Sequence, residues 1–196
     1  MIKYLKLIFA LGLFLFSASV MAQGKVNPEI QKKVDAFIDF SNQKKWDEAF
    51  SLMYPKLFSQ VPKQDLIDVM TGMDQDGLSL QRNNIKLISS SAPFHDGLET
   101  FVRLEYAGDL VVQITGGSLY DDPKSIEGMT GQFKASYGEE NVTWNGDTKH
   151  FLILSHIAMM AIQSGQQWYL IEINTDQKEL MEYLFPDAVM DALVRK

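Results

Sequence analysis

The three histidines are the side chains best suited to bind a metal ion or to act as a general base near neutral pH, and their spacing keeps them apart. His150 and His156 share one parity of a predicted strand, so about 20 Å separates them, whereas zinc binds histidine nitrogens at about 2 Å. His95 lies in the predicted turn Pro93–Gly97. Because the chain also lacks cysteine, we predict no metal site. His156, in an apolar segment, is kept as a candidate binding residue, with a hydrogen-bonded structural role as the alternative.

The sequence also lacks motifs for nucleophilic catalysis and for phosphate or calcium binding. A serine nucleophile needs a base and a strained turn such as G-x-S-x-G, and Gly116-Gly117-Ser118 does not match that pattern. No glycine string matches a phosphate-binding loop or a dinucleotide fingerprint. The run Asp74–Gly77 does not place its acids at the offsets of a calcium loop. We therefore predict no catalytic residues and no cofactor.

Aromatic side chains with a polar atom are the better candidates for binding a ligand. A buried tyrosine hydroxyl or indole N–H needs a hydrogen-bond partner, and ligand pockets combine apolar walls with a few such groups. We predict that Tyr106 and Trp168 point into one concave space with Tyr54 near its rim, and that His156 completes the candidate ligand-binding set. The alternative is that the three aromatic rings only fill the core. The inward parity of the Trp168 strand also stays open, because Tyr169, Ile171 and Ile173 form a rival inward set. No catalytic role is assigned to any of the four.

The amino terminus predicts export. Met1–Ala22 has the three parts of a secretory signal peptide: two early lysines, the apolar run Leu7–Phe16, and small residues at Val20 and Ala22. We predict cleavage before Gln23, with an uncleaved anchor as the alternative. The domain prediction is therefore a signal peptide over residues 1–22 and a single domain over residues 23–196.

Composition narrows the compartment and the partners. The exported chain would carry 16 Lys and Arg against 25 Asp and Glu, a negative charge that opposes binding to nucleic acid. No later segment approaches the roughly 20 apolar residues of a membrane span. Without cysteine the chain can form no disulfide and no amino-terminal lipid anchor, which is ordinary for a bacterial envelope protein. We predict a periplasmic or secreted location.

Helices are predicted at the amino terminus, in the middle and at the carboxyl terminus. Asn27-Pro28 is a typical helix start, and two shorter helices follow before Gly72. Asp122-Pro123 begins another helix that ends at Gly138. Asp176 and Glu179 predict a capped start for a final pair of helices that breaks at Pro186.

Strands occupy the segments between these helices. Alternation over residues 98–106 places Leu98 and Tyr106 inward and Arg103 and Glu105 on a wet face. We predict one bent strand to residue 114 with a bulge at Gly108, or alternatively a hairpin there. Residues 151–162 predict a strand covered on both faces, joined by a tight turn to the strand 168–173. The fold class is therefore α+β, with helices packed on one strongly curved antiparallel sheet.

This order of elements resembles the nuclear transport factor two-like, or cystatin-like, superfamily. Four segments also resemble exported proteins of the Bacteroidetes type: Trp46–Phe50, Met53–Phe58, Tyr137–Val142 and Phe185-Pro186. The resemblance implies a cone-shaped sheet whose open end often holds a small apolar molecule, with the inserted helix and the carboxy-terminal helices as departures from the simple form. Some members of the superfamily are enzymes, but none of their catalytic residues maps onto this sequence.

These observations support three functional hypotheses. The first is a non-catalytic binding or interaction module that holds a small apolar ligand in the cone. The second is a cavity enzyme of isomerase or hydratase type that uses a buried carboxyl or His156. The third is a structural envelope protein that forms a homodimer through its sheet face. A buried carboxyl with a raised pKa would favour the enzyme, and a deep apolar pocket would favour binding.

Overall fold

Helices open the part of the chain that the computed structural model describes, residues 26–195. The predicted signal peptide Met1–Ala22, its cleavage site and the possible anchor lie outside the described residues. The first helix begins as predicted, because Asn27 Oδ1 accepts a hydrogen bond from Glu29 N at 2.9 Å and Pro28 occupies its first turn. The opening elements are α1 Pro28–Asn42, α2 Trp46–Ser51, a 3₁₀ turn Pro55–Ser59 and α3 Lys63–Gln75.

The strands that follow form one open, curved sheet in which every ladder is antiparallel. The strands are β1 Leu78–Ser90, β2 Phe94–Asp96, β3 Glu99–Ile114, β4 Val142–Asn145, β5 His150–Ser164 and β6 Gln167–Glu172. Their order is β1-β3-β5-β4, with β2 added beside β3 and β6 added beside β5. The predicted α+β class is confirmed. The short strands β2 and β4 were not predicted, because runs of three and four residues are too brief for a visible alternation.

The long strand β3 continues through Gly108 without a hairpin. Its register with β5 is unbroken from Glu99, opposite Ser164, to Gln113, opposite His150. The irregularity lies instead in β1, where the pairing with β3 shifts near Asn84. The prediction of a bulge in β3 is therefore wrong, because the bulge lies in the neighbouring strand β1. Glycine suits position 108 because a Cβ atom there would overlap the end of the Ile85 side chain and lie only 3.0–3.1 Å from backbone atoms of β1.

Helices cover the sheet on both faces. The inserted helix α4 Pro123–Tyr137 and the amino-terminal α1 pack on the face that carries Val102, Leu104 and Tyr106, which we call the concave face. On the opposite, convex face lie α5 Lys178–Leu184, α6 Asp187–Val189 and the π-helical turn Met190–Val194. The helices before, within and after the sheet follow the predicted order.

Two predicted orientations along β3 are wrong. Leu98 is fully exposed, because it lies in the turn that joins β2 to β3 rather than in a strand. Arg103 was assigned to a wet face, yet it is only 8% exposed. Its Nη1 donates to Leu193 O at 2.6 Å, so the carboxy-terminal helices cover this part of the convex face. Strand alternation distinguishes two faces but does not show what packs on each of them.

The predicted capping box at the start of the carboxy-terminal helices is also absent from this structure. Gln177 occupies the N-cap of α5 and makes no side-chain capping bond. Asp176 instead donates its backbone N–H to Asn174 Oδ1 at 2.9 Å. Asn174 therefore shapes the turn that leads out of β6, and the helix starts two residues later than the predicted cap.

Candidate functional site

A cavity of about 200 Å³ lies beside the concave face, under the helices that cover it, and extends past the end of β6 to Leu180 and Met181 of α5. Helices α1, α2 and α3 form one side, and strands β1, β3, β5 and β6 contribute to the other. Its walls are mostly aliphatic, aromatic and methionine side chains, including Phe37, Trp46, Met53, Met70, Leu110 and Leu170. Predominantly apolar walls with a few polar groups are typical of small-molecule sites.

Helix α3 lies over this cavity as a loosely packed cover. Its apolar residues Leu66, Val69 and Met70 line the cavity but are only half-buried, whereas Met73 near its end is buried. These side chains face empty volume where a filled core would provide contacts. A ligand in the cavity would supply those missing contacts.

An ion pair crosses the concave face at the cavity wall. Arg82 of β1 donates to the Glu172 carboxylate of β6 at 3.3–3.4 Å, and both residues line the cavity. Arg82 is level with Leu110, and Glu172 is level with Met159 and therefore with Leu104. Leu110 and Leu104 are six residues apart on β3, so in a flat sheet Arg82 and Glu172 would be separated by about 20 Å along the strand direction. The contact therefore depends on the strong curvature of the sheet.

Burial dominates the electrostatics of this pair. The Glu172 side chain is 9% exposed and that of Arg82 is 24% exposed. Burial raises the pKa of the Glu172 carboxyl above its ordinary value, and the Arg82 charge only partly opposes this rise. Tyr137 lies within the field of both charges, and burial raises its pKa to about 12. At neutral pH its hydroxyl therefore keeps its proton and can donate a hydrogen bond.

The end of α1 holds Arg82 in place. Asn42 Nδ2 donates to Arg82 O, and Arg82 N donates to Asn42 Oδ1, both at 2.8 Å. These two bonds satisfy the backbone of Arg82 as a neighbouring strand would. They fix the point from which the guanidinium reaches across the cavity.

Asn174, one of the residues that line the cavity, has a side-chain hydrogen-bond donor that is enclosed by protein. It is 2% exposed, and its Oδ1 accepts the bond from Asp176 N. Its Nδ2 is buried and has no hydrogen-bond partner among the described residues. Leaving a buried donor unsatisfied costs about 1–3 kcal/mol, and most buried polar groups in proteins are satisfied.

The predicted residues Tyr106 and Trp168 lie on the concave face but in its packed part. They are 1% and 6% exposed, and they share a cluster with Ile30 and Val34 of α1. Tyr106 donates to Gln31 Oε1 at 3.4 Å, and burial raises its pKa to about 12. The cavity lies beside this cluster, and neither residue is part of its lining.

The predicted residues Tyr54 and His156 lie elsewhere. Tyr54 donates to both carboxylate oxygens of Glu99 at 3.0 and 3.1 Å, and burial raises its pKa above the ordinary tyrosine value. His156 is exposed on the convex face, level with Ala107. The structure brings Tyr106 and Trp168 into one cluster but does not bring Tyr54 or His156 to the cavity. A ligand-binding role for these four residues stays a prediction.

The polar residues that do line the cavity were not singled out from the sequence. Glu172 carried a usable signal, because it shares strand parity with Trp168 and Leu170 and thus places a carboxyl among inward-facing positions. Arg82 carried no comparable signal. Its strand is kinked, and its partner lies 90 positions away.

Part of the convex face stays uncovered by the carboxy-terminal helices. Leu154 on β5 is 50% exposed there, with Val111 and Leu152 half-buried around it. The homodimer predicted through the sheet face would use this region, and it too stays a prediction. Within residues 26–195, no group of three or more His, Asp or Glu side chains is arranged to hold a metal ion.

Comparison with known proteins adds no relative. No family model matches the chain, and no curated protein matches it either. Among the helices in the described part of the chain, none combines the length and apolar character needed to cross a bilayer. The functional argument therefore depends on the geometry of the cavity.

Proposed function

We propose that this protein is an exported binding module that holds a small, mostly apolar molecule in the cavity beneath α3. The observation that carries the proposal is the cavity itself, with its apolar walls and its group of polar side chains around Arg82 and Glu172. The proposal includes a periplasmic or secreted location, which the signal-like residues 1–22 support. It also includes membership of the nuclear transport factor two-like superfamily, which the curved sheet and preceding helices support.

The volume sets the size of the ligand. An apolar cavity of about 150 Å³ in another protein holds benzene, which has six non-hydrogen atoms. The volume of about 200 Å³ therefore suits a molecule of roughly eight to eleven non-hydrogen atoms. Propylbenzene falls in this range and has no polar group, so it is a suitable first probe.

Binding can be followed through Trp46, which lines the cavity and is 9% exposed. We expect propylbenzene to cause a saturable change in tryptophan fluorescence that Trp46→Phe abolishes. Trp144→Phe is the control, because Trp144 packs against Phe151 away from the cavity lining. Absence of saturable binding would refute the proposal.

Filling the cavity provides a second test. Val69→Phe adds a ring to a half-buried lining position, and we expect it to weaken propylbenzene binding at least tenfold. Val111→Phe is the matched control, because this half-buried valine lies on the convex face. Equal binding by wild type and both variants would place the ligand elsewhere and overturn the proposal.

One observation favours the second candidate function, an isomerase-type enzyme. Glu172 is a buried carboxyl with a raised pKa that lines the cavity, as a general acid or base in an apolar site would be. Such a base would remove a proton from the carbon beside a ketone and return one to it. In D₂O it would therefore exchange the α-hydrogens of 4-phenylbutan-2-one.

Nuclear magnetic resonance separates the two functions. Deuterium exchange faster than in buffer, lost in Glu172→Gln while propylbenzene still binds, would favour the enzyme. Binding of the ketone with exchange at the buffer rate would favour the binding module, which is the result that we expect. The Arg82 charge supports this expectation, because it holds the carboxylate in an ion pair at 3.3 Å.

A further inference from the structure

We propose that the Tyr137 hydroxyl donates a hydrogen bond to the ligand, and that this ligand is a neutral molecule with one hydroxyl or carbonyl oxygen on a mostly apolar body. This inference rests on the proposed function and specifies the chemistry of its ligand. It assigns a specificity-determining role to Tyr137.

Helix α4 places Tyr137 at the cavity wall. Tyr137 is the last residue of α4 and lies four residues after Phe133 and eight after Met129, so the three share one face of the helix. Met129 and Phe133 are buried in one cluster with residues of the sheet, and Tyr137 packs against the same cluster. Phe133 and Tyr137 also line the cavity, so the end of this helix face forms part of its wall.

The charges that act on the Tyr137 hydroxyl show which way it points. They belong to Arg82 and Glu172, and both of these residues line the cavity. Because a Coulomb interaction falls off with distance, the hydroxyl end of the ring lies on the side of this ion pair. The hydroxyl is therefore directed toward the cavity rather than toward the outer surface of α4.

The Tyr137 hydroxyl is unpaired but reachable. Among residues 26–195 it has no hydrogen-bond partner, and Asn141 Nδ2 bonds the backbone oxygen of Tyr137 instead, at 2.7 Å. The unpaired side-chain atoms that are fully enclosed in this part of the chain are Trp168 Nε1 and Asn174 Nδ2. The Tyr137 hydroxyl is not one of them, so an atom of the size of water can contact it. A protonated tyrosine hydroxyl in this position is a donor for a ligand oxygen.

The ion pair sets the charge of the ligand. Arg82 and Glu172 already neutralise each other at 3.3 Å. A carboxylate on the ligand would gain Arg82 but lie close to the Glu172 carboxylate. Burying a charge without a full partner is costly. A hydroxyl or carbonyl oxygen accepts the bond from Tyr137 without this penalty.

Calorimetry at pH 7 with three probes of one shape tests the proposal. The probes are 3-phenylpropan-1-ol, propylbenzene and 3-phenylpropanoate. We expect Tyr137→Phe, which removes only the hydroxyl, to weaken binding of the alcohol about fivefold and of propylbenzene less than twofold. We also expect 3-phenylpropanoate to bind wild type about tenfold more weakly than the alcohol does, or more weakly still.

Tyr120→Phe is the matched control. Tyr120 is half-buried and packs against the same cluster as Tyr137, but it is not part of the cavity lining. Its variant should leave the affinities for all three probes unchanged. A tyrosine that only fills the core would show no difference between the alcohol and the hydrocarbon when its hydroxyl is removed.

A measurement on wild type covers the case in which Tyr137→Phe does not fold. Infrared spectroscopy of bound 4-phenylbutan-2-one should show the carbonyl stretch at a lower frequency than in hexane, because a hydrogen bond to the oxygen weakens the C=O bond. A bound ketone whose carbonyl stretch equals that in hexane would overturn the proposal.

The outcomes separate this inference from the proposed function. If propylbenzene does not bind wild type, the proposed function fails. If propylbenzene binds but Tyr137→Phe weakens the alcohol and the hydrocarbon equally, or neither, only the role of the Tyr137 hydroxyl is overturned. Tighter binding of 3-phenylpropanoate than of the alcohol would overturn the neutral ligand, because Arg82 would then be available to an anion.

Discussion

The ion pair between Arg82 and Glu172 leads to a quantitative prediction about stability. Arg82→Met removes the cation and keeps a long, flexible side chain in its place. Glu172, with 9% of its side chain exposed, then loses the charge that opposes its desolvation. The variant must either bury an unpaired carboxylate or protonate it, and both cost free energy at neutral pH.

The structure sets the size of the loss. Breaking a fully buried pair by removing one partner costs about 3–5 kcal/mol. Arg82 keeps 24% of its side chain exposed, and its contacts of 3.3–3.4 Å are long for charge-assisted bonds. We therefore expect a loss of about 2–3 kcal/mol at pH 7. For a chain of this size the loss corresponds to a fall in Tm of about 4–12 °C.

The sign of the pH dependence follows from the direction of the pKa shift. The folded protein raises the pKa of Glu172 above its ordinary value of 4.5, so the folded state holds this proton more tightly than the unfolded state. The resulting stability is present below the unfolded pKa and is lost as the pH rises through the folded pKa. Arg82→Met raises the folded pKa further. The gap between wild type and variant should therefore be small while Glu172 is protonated in both folded proteins, and should widen as the pH rises through the folded pKa of the wild type, which lies above 4.5.

Urea denaturation of wild type and variant from pH 4 to 8 measures this gap. The double variant Arg82→Met/Glu172→Gln should recover most of the loss, because it leaves no buried charge. Arg195→Met is the control, since its ion pairs with Asp191 and Glu182 are exposed. A gap that is constant with pH, or a double variant as unstable as Arg82→Met, would show that Glu172 is not buried as described.

Three further predictions concern other parts of the chain. Arg103→Met should cost about 2–3 kcal/mol in denaturant unfolding, because it leaves the buried Leu193 carbonyl without its charged donor; a change below 1 kcal/mol would contradict this. Gly108→Ala should cost about 1–3 kcal/mol, because its Cβ would overlap Ile85 and lie 3.0 Å from Asn83 O; unchanged thermal unfolding would contradict the close approach. Intact-mass measurement of exported protein should give an amino terminus at Gln23, and a product retaining residues 1–22 in the membrane would contradict cleavage.

Local sequence signals predicted most of the secondary structure. Asn27-Pro28 and Asp122-Pro123 mark the starts of α1 and α4, because a capping oxygen and a proline satisfy or remove the first free backbone donors of a helix. Gly165, with φ at +63°, makes the turn of the β5–β6 hairpin where the sequence placed it. These signals work because each involves only neighbouring residues.

Alternation predicted which residues of a strand share a face, but it did not predict whether that face is buried or exposed to solvent. Tyr106 and Trp168 do share the concave face, which alternation predicted for Tyr106 but left open for Trp168. Arg103 alternates as a solvent-facing residue should, yet helices that begin 75 positions later cover it. Only the packing of those helices decides which polar side chain is buried.

The candidate site was decided by the tertiary structure. Arg82, Glu172 and Asn174 come from opposite edges of the sheet, and the curvature of β3 and β5 brings the pair into contact. The chain by itself therefore specified the helices, the strand alternation and the predicted export signal. The cavity and its polar side chains depend on how far the sheet bends and on which helices lie over it, because these are sums of many long-range contacts that no local pattern encodes.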